Sequence, residues 1–297
     1  MKLSTQTKAL TCKYSFEEAI DILADAGYDA IDFSFTVERA YAPELTLDYF
    51  SELRKRAEDK GLCVNQAHAP FHSSYADEEV TKKRFDEIVR SMQRAAVLGA
   101  EYIIVHPCQH LPYIEQGVPE RLFEINMDFY NRLKPYCEEF GIKVAVENMW
   151  QHYGGSSKIM HSTCSRAAEH IKYIDSLNSE WFVGCLDIGH AMLVCENPAD
   201  SIRALGKERL RTLHVHDVDG THDLHTLPYF GIIDWNEVMS ALAEIGYEGD
   251  LTFEADNFMS GKPKELYPEC EKFMAQTGRN LTKKFEEEKN NGKISGN

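Results

Sequence analysis

Residues 138–147 read EEFGIKVAVE, and the fold is decided in this stretch. A polar, helix-favouring run stops at Gly141, the residue type suited to the left-handed turn just past a helix. An apolar run follows, short enough for a strand, and it closes on a carboxylate, Glu147. The same order of helix, glycine stop and strand recurs on both sides. It appears in ADAGYDAID (24–32), EDKGLCVN (58–65), VLGAEYIIV (97–105) and AEIGYEGDLTF (243–253).

Apolar runs at Ala30–Phe35, Leu62–Ala67, Tyr102–Val105, Lys143–Val146, Trp181–Leu186, Arg211–Val215 and Leu251–Phe253 predict strands. An opening strand near Lys2–Thr7 makes eight. Helical periodicity between them predicts helices such as Ser15–Ala26, Leu47–Asp59, Glu78–Leu98, Arg121–Phe140 and Asn236–Ile245. Serial βα units imply a parallel sheet. Eight units in about 260 residues fit a closed (β/α)8 barrel better than an open doubly wound sheet. No G-x-G-x-x-G fingerprint follows the first strand, which argues the same way. No linker-like break divides the chain, so the reading is a single TIM-barrel domain over 1–297. A polar tail, expected to be frayed, begins at about 281.

Buried parallel strands should be apolar throughout, yet these end in polar residues. VNQAH ends at His68, IIVH at His106, VAVE at Glu147, VGCLD at Asp187, LRTLH at His214 and LTFE at Glu254. Side chains alternate along a strand. If each terminal polar residue points into the barrel, Ile104, Ala145 and Cys185 share its face, while Val105, Val146, Leu213 and Phe253 face the helices. Carboxylates converging at an apolar mouth repel one another and lose hydration unless a cation joins them. Glu147, Asp187 and Glu254 supply hard oxygens and His214 a nitrogen. Such mixed ligation suits Mn²⁺, Co²⁺ or Zn²⁺, with Mg²⁺ also admissible.

The motifs VENM (146–149), LDIGHA (186–191), LHVHDVDGTHDLH (213–225), GIIDW (231–235) and TFEAD (252–256) resemble the xylose isomerase-like barrel superfamily. More narrowly, they resemble its sugar phosphate isomerase/epimerase group, a relative of the AP endonuclease family 2 barrels. The resemblance implies a divalent metal on Glu147, Asp187, His214 and Glu254. It implies isomerisation or epimerisation of a sugar, sugar phosphate or cyclitol through an enediolate, with Glu147 and Glu254 as acid and base.

His190, one helical turn beyond Asp187, is expected to meet substrate oxygens or stand behind the ligands. His216, two residues past His214, is aimed inward near the rim as a substrate contact. Asp223 and His225, taken with His68, His106 and His190, also match ligands of the multi-zinc AP endonucleases. The strongest rival is therefore an endonuclease IV-like phosphodiesterase with two or three metals. Dehydratases and lyases on the same barrel are further alternatives. The segment HDVDGTHD lacks the Gly-Glu pair and Arg that follow the metal histidine in ketose 3-epimerases, which argues against a free-ketohexose epimerase.

The loop NMWQHYGGSSKIMHSTCS (148–165) is long for a βα connection and reads as a pocket lid, with Trp150 and Tyr153 stacking on substrate. Phe33, Phe35 and Phe71 stand near strand ends as candidate pocket walls, and SGKPK (260–264) as a candidate phosphate contact. The net charge of −16 disfavours nucleic acid, whose binding rests on Lys and Arg. The eight cysteines form no C-x-x-C pair, and no run approaches a membrane span. These features predict a cytoplasmic protein with reduced thiols and a small-molecule carbohydrate substrate. A homo-oligomer is a further expectation.

Overall fold

The computed structural model describes residues 1–295. Eight parallel strands form the barrel: β1 (Leu3–Gln6), β2 (Ala30–Ser34), β3 (Cys63–His68), β4 (Tyr102–Ile104), β5 (Lys143–Glu147), β6 (Phe182–Asp187), β7 (Leu210–His214) and β8 (Leu251–Phe253). Neighbours in sequence are neighbours in the sheet, and β8 pairs with β1. Between β7 and β8 the ladder is brief. Val215 donates to the Thr252 carbonyl at 2.9 Å and accepts from Glu254 at 3.1 Å, so the barrel is nearly closed.

The helices start and stop for local reasons. Ser15 and Glu18 form a reciprocal capping box at the start of helix Phe16–Ala26, and Gly27 ends it at φ +94°. Asp77 accepts from the amides of Glu79 and Val80 at the start of Glu78–Leu98. Among the described residues no helix is long and apolar enough to cross a membrane.

Alternation divides the apolar residues into two cores. Ile104, Ala145 and Cys185 pack with Tyr102 and Val183 inside the barrel. Val105, Val146, Leu213 and Phe253 belong to the larger core between strands and helices. Phe33 and Phe35 are also in that outer core, packed at a tilt against Phe16 and Phe50 respectively, and are not pocket walls.

The polar stretch from 281 requires a correction. Tyr267–Ser295 is one helix, and Leu281 and Phe285 on it are fully buried. The helix closes the gap between the first and last units. Gly278 lies so near Leu3 and Phe253 that a Cβ there would stand 2.3 Å from a Leu3 methyl. Over 281–291 the charged side chains lie on the partly or fully exposed positions of the helix. Residues 296–297 lie outside the described part.

The same helix buries Glu271, whose carboxylate accepts from the Tyr28 hydroxyl at 3.0 Å while its other oxygen has no partner. Burial pushes this carboxyl up to about 8. A raised folded-state value means stability is fully present below the unfolded value, about 4.5, and is lost as the pH climbs through about 8. At about 1.4 kcal/mol per unit, the loss is on the order of 4 kcal/mol. Glu271→Gln should therefore flatten the stability profile between pH 5 and 8.5 by that order. Urea melts at the two pH values check it, and an unchanged difference would show that Glu271 ionises freely.

Candidate active site

The last four barrel strands each deliver a polar side chain to the C-terminal mouth at or just past their ends. Glu147 ends β5, Asp187 ends β6, His214 ends β7, and Glu254 follows β8. All four are buried, and one ligand atom from each lies within 4.8 Å of the others. His214 sits at the centre. Its Nδ1 is 2.8 Å from a Glu147 oxygen and 3.1 Å from a Glu254 oxygen, and its Nε2 is 3.4 Å from Asp32. Gln6, at the end of β1, donates to Glu254 at 2.8 Å.

Two further groups of potential ligands adjoin this one: His68, Glu147 and His214, and then His190, His216, Asp223 and His225. His68 and His106 approach at 3.1 Å between their Nε2 atoms. His106 also reaches the second Glu147 oxygen at 2.8 Å, though out of hydrogen-bond alignment. His216 Nε2 lies 3.0 Å from Asp187, and its ring stacks on His225 with centroids 4.0 Å apart. Asp223 pairs with His225 at 3.0 Å and lies 3.6 Å from His190. Asn148 couples the strand ends: its side chain accepts from the Asp187 amide at 2.7 Å and donates to the Asp187 carbonyl at 3.0 Å. Its carbonyl also meets His190 Nδ1 at 2.9 Å.

The electrostatics follow from burying acids beside imidazoles. Burial acts to raise the Glu147 carboxyl, but the charges of His214 and His106 outweigh it and hold it well below the usual range. Glu254 is lowered in the same way, chiefly by His214. Burial opposes charge on His214, yet its anionic neighbours raise it well above an ordinary imidazole. Burial likewise opposes charge on His225, which its hydrogen bond to Asp223 and the nearby Glu254 carry up to about 10. His68, where burial prevails, falls to about 4.

Several polar atoms here are buried without a hydrogen-bond partner: Glu147 Oε2, His214 Nε2, Asp223 Oδ1 and Asp32 Oδ1. Unpartnered buried polar atoms on this scale are costly unless something else satisfies them. Three carboxylates and an imidazole converging with unused lone pairs are a donor set that fits a divalent cation.

Above the cluster lies a cavity of about 520 Å³, lined in part by Lys8, Phe71, His106, Trp150, His190 and Glu254. Its roof is an antiparallel hairpin, Trp150–His152 with Ile159–His161, inside the long loop after β5. The Trp150 indole donates to Asp223 at 3.3 Å. Tyr153 is a correction: it sits past the strand in the hairpin turn, about half exposed, and does not line the cavity. The lysines of SGKPK are elsewhere too. Lys262 reaches the Phe258 carbonyl, and Lys264 lies over the Tyr14 ring.

Sequence reading missed Asp32, Gln6, His72 and His110. The signal for Asp32 was present, since an aspartate inside the run AIDFS is as anomalous as Glu147 at the end of its own. Gln6 closes a short polar strand with no apolar run to mark it.

A (β/α)8 barrel with acids and histidines gathered at its C-terminal mouth defines a class of protein, and comparison places the chain within it. The chain belongs to the xylose isomerase-like TIM barrel family, whose model matches residues 20–276. Fructoselysine 3-epimerase of Escherichia coli O157:H7 is 22% identical over 267 residues, covering 87% of this chain and 93% of that protein. The protein named probable endonuclease 4 of Cenarchaeum symbiosum is 23% identical over 217 residues, 68% of this chain and 73% of its own. The solved IOLI protein with a binding zinc atom superposes with a TM-score of 0.74 at 20% identity, covering 96% of this chain and 98% of that one.

Proposed function

We propose that the protein is a divalent-metal-dependent isomerase or epimerase of a sugar or cyclitol. The observation that carries this reading is the cluster of Glu147, Asp187, His214 and Glu254, contributed by four successive strands, beneath a cavity of about 520 Å³. These four residues would hold the cation, which when bound polarises a substrate carbonyl and the neighbouring C–H bond.

The chain's own groups do the proton chemistry. Glu147 and Glu254 are both held in the carboxylate form, as a general base must be. One takes the proton beside the carbonyl and becomes the carboxylic acid; the other, a carboxylate at the outset, takes up a proton from solvent and returns that one to the substrate carbon. Gln6 orients Glu254 through its hydrogen bond, and Asp32 faces the far side of the His214 ring at 3.4 Å. His190 and His106 line the cavity and meet substrate oxygens, and Trp150, Gln151 and His152 of the hairpin form part of its wall.

A second reading is favoured by the group His190, His216, Asp223 and His225, which could take further ions as in a multi-metal phosphodiesterase. The net charge of −16 and a pocket lined by one lysine and no arginine weigh against a nucleic-acid substrate. Metal analysis together with solvent-deuterium exchange separates the two. Protein reconstituted with Mn²⁺, Co²⁺, Mg²⁺ or Zn²⁺ should hold one equivalent and wash deuterium into a ketose, a ketose phosphate or an inosose. Two to three zincs with cleavage of abasic DNA, and no exchange into any carbohydrate, would replace the first reading with the second.

A further inference from the structure

We infer that Asp32 is a positioning residue of the cation site: it holds His214 with the Nδ1 lone pair toward the ion, and a line of buried hydrogen bonds through the barrel, ending in Gln66, holds Asp32. This inference rests on the reading of Glu147, Asp187, His214 and Glu254 as the residues that hold the cation, and adds how one of them is set.

The first observation is that the barrel interior is divided. On the side of β4, β5 and β6 it is apolar, filled by Tyr102, Ile104, Ala145, Val183 and Cys185. Bulky branched residues are the usual filling of such a barrel. On the side of β8, β1, β2 and β3 the buried positions include Thr252, Ser4, Gln6, Asp32 and Gln66. Buried polar groups are costly unless paired, and four of these five are joined in a line. Ser4 donates to Asn65 Oδ1 at 2.8 Å, Asn65 Nδ2 to Thr252 at 3.4 Å, Thr252 to Gln66 Oε1 at 3.2 Å, and Gln66 Nε2 to Asp32 Oδ2 at 2.9 Å.

The strands make room for this line at one point. Ile31 pairs with Val64 but Asp32 pairs with Gln66, so Asn65 is an extra residue on β3. A bulge of this kind re-aims side chains. Here two consecutive residues, Asn65 and Gln66, both reach Thr252.

The direction of the bonds is the second observation. Every donor in the line points the same way, and the last group is a carboxylate, which can only accept. Gln66 has its oxygen taken by Thr252 and so presents its N–H to Asp32. Asp32 is fully buried and keeps unused lone pairs, because its Oδ1 has no partner. Among the described residues, the one cationic or imidazole group at ion-pair distance from it is His214, whose Nε2 stands 3.4 Å from Oδ2. That Nε2 is itself buried without a hydrogen-bond partner.

The other ring nitrogen, Nδ1, faces the Glu147 and Glu254 oxygens at 2.8 and 3.1 Å. A neutral imidazole has one N–H and one lone pair. With the Nδ1 lone pair given to the ion, the hydrogen sits on Nε2, and the acceptor facing it is Asp32. A histidine ligand whose second nitrogen donates to a carboxylate is fixed in orientation and made a more basic ligand.

The test is the affinity of the protein for its first equivalent of Zn²⁺, read by competition with a chromophoric chelator. Asp32→Ala should lower it about 10–100-fold, the range for groups that act on a metal through its ligand. Gln66→Leu removes the bond to Asp32 and leaves all four ligands in place, and should lower it by a smaller factor of at least about threefold. Val183→Ala loosens the apolar half of the same interior and should leave the affinity within about twofold, which separates lost support from lost packing. The tautomer is a second readout. In Zn²⁺-loaded protein whose histidines carry nitrogen-15, the His214 signals, assigned by their loss in His214→Ala, should place the hydrogen on Nε2. A hydrogen on Nδ1 overturns the inference. Unchanged affinity in Asp32→Ala, or a loss in Val183→Ala as large as in Asp32→Ala, overturns it too, and the cation site itself then stands. If His214→Ala holds Zn²⁺ as tightly as the unaltered protein, the placement of the site falls and the inference falls with it.

Discussion

Glu147→Gln should lower the rate of solvent exchange or epimerisation by about 10²–10⁴-fold while leaving the protein folded and soluble, the range that general acid–base groups contribute. The amide keeps the size and one acceptor oxygen of the buried side chain but cannot take a proton. The surroundings are built for the charged form. His214 stands 2.8 Å from one Glu147 oxygen and His106 2.8 Å from the other, and the two imidazoles keep the carboxyl ionised. Glu254→Gln should have an effect of the same size, because Glu254 shares His214 with Glu147 at 3.1 Å and is held ionised by it. Single-turnover deuterium exchange on metal-loaded protein measures both. A near-normal rate in either variant removes that residue from the acid/base role.

His214→Ala should weaken retention of a divalent cation by more than the 10–100-fold that outer-sphere partners of metal ligands contribute. The imidazole is the only nitrogen in the four-residue cluster and touches two of its three carboxylates. Its loss also leaves Asp32, Glu147 and Glu254 facing one another without an intervening cation. Breaking such a buried pair costs about 3–5 kcal/mol, so the metal-free variant should also melt earlier. Metal content after dialysis, read by mass spectrometry, checks the first effect and a thermal melt the second. Unchanged metal content would place the ion elsewhere.

The parts of this site that were legible in the sequence share one property: they break a strong local rule. His68, His106, Glu147, Asp187, His214 and Glu254 stand out because an apolar strand ends in a group that should not be buried. Asp32 breaks the same rule within its strand and yet reads as an isolated polar residue until β2 is seen beside β3, where Gln66 donates to it at 2.9 Å. Phe33 and Phe35 illustrate the reverse difficulty. An aromatic at a strand end faces outward or inward according to the strand's phase, and β2 turns both into the core behind the barrel.

The sequence by itself determined the order of strands and helices, the stops between them, and which strands end in potential ligands. Each of these depends on interactions within about one helical turn or one strand, and local periodicity records them. Tertiary structure alone decided the rest. It set which four ligand atoms fall within 4.8 Å, placed Trp150 over the cavity and Tyr153 outside it, and paired Lys8 with Asp256. It also made the polar final segment a helix that buries Leu281 and Phe285. Those outcomes rest on contacts between residues far apart in the chain, and barrel closure brings such residues together in a way no local pattern encodes.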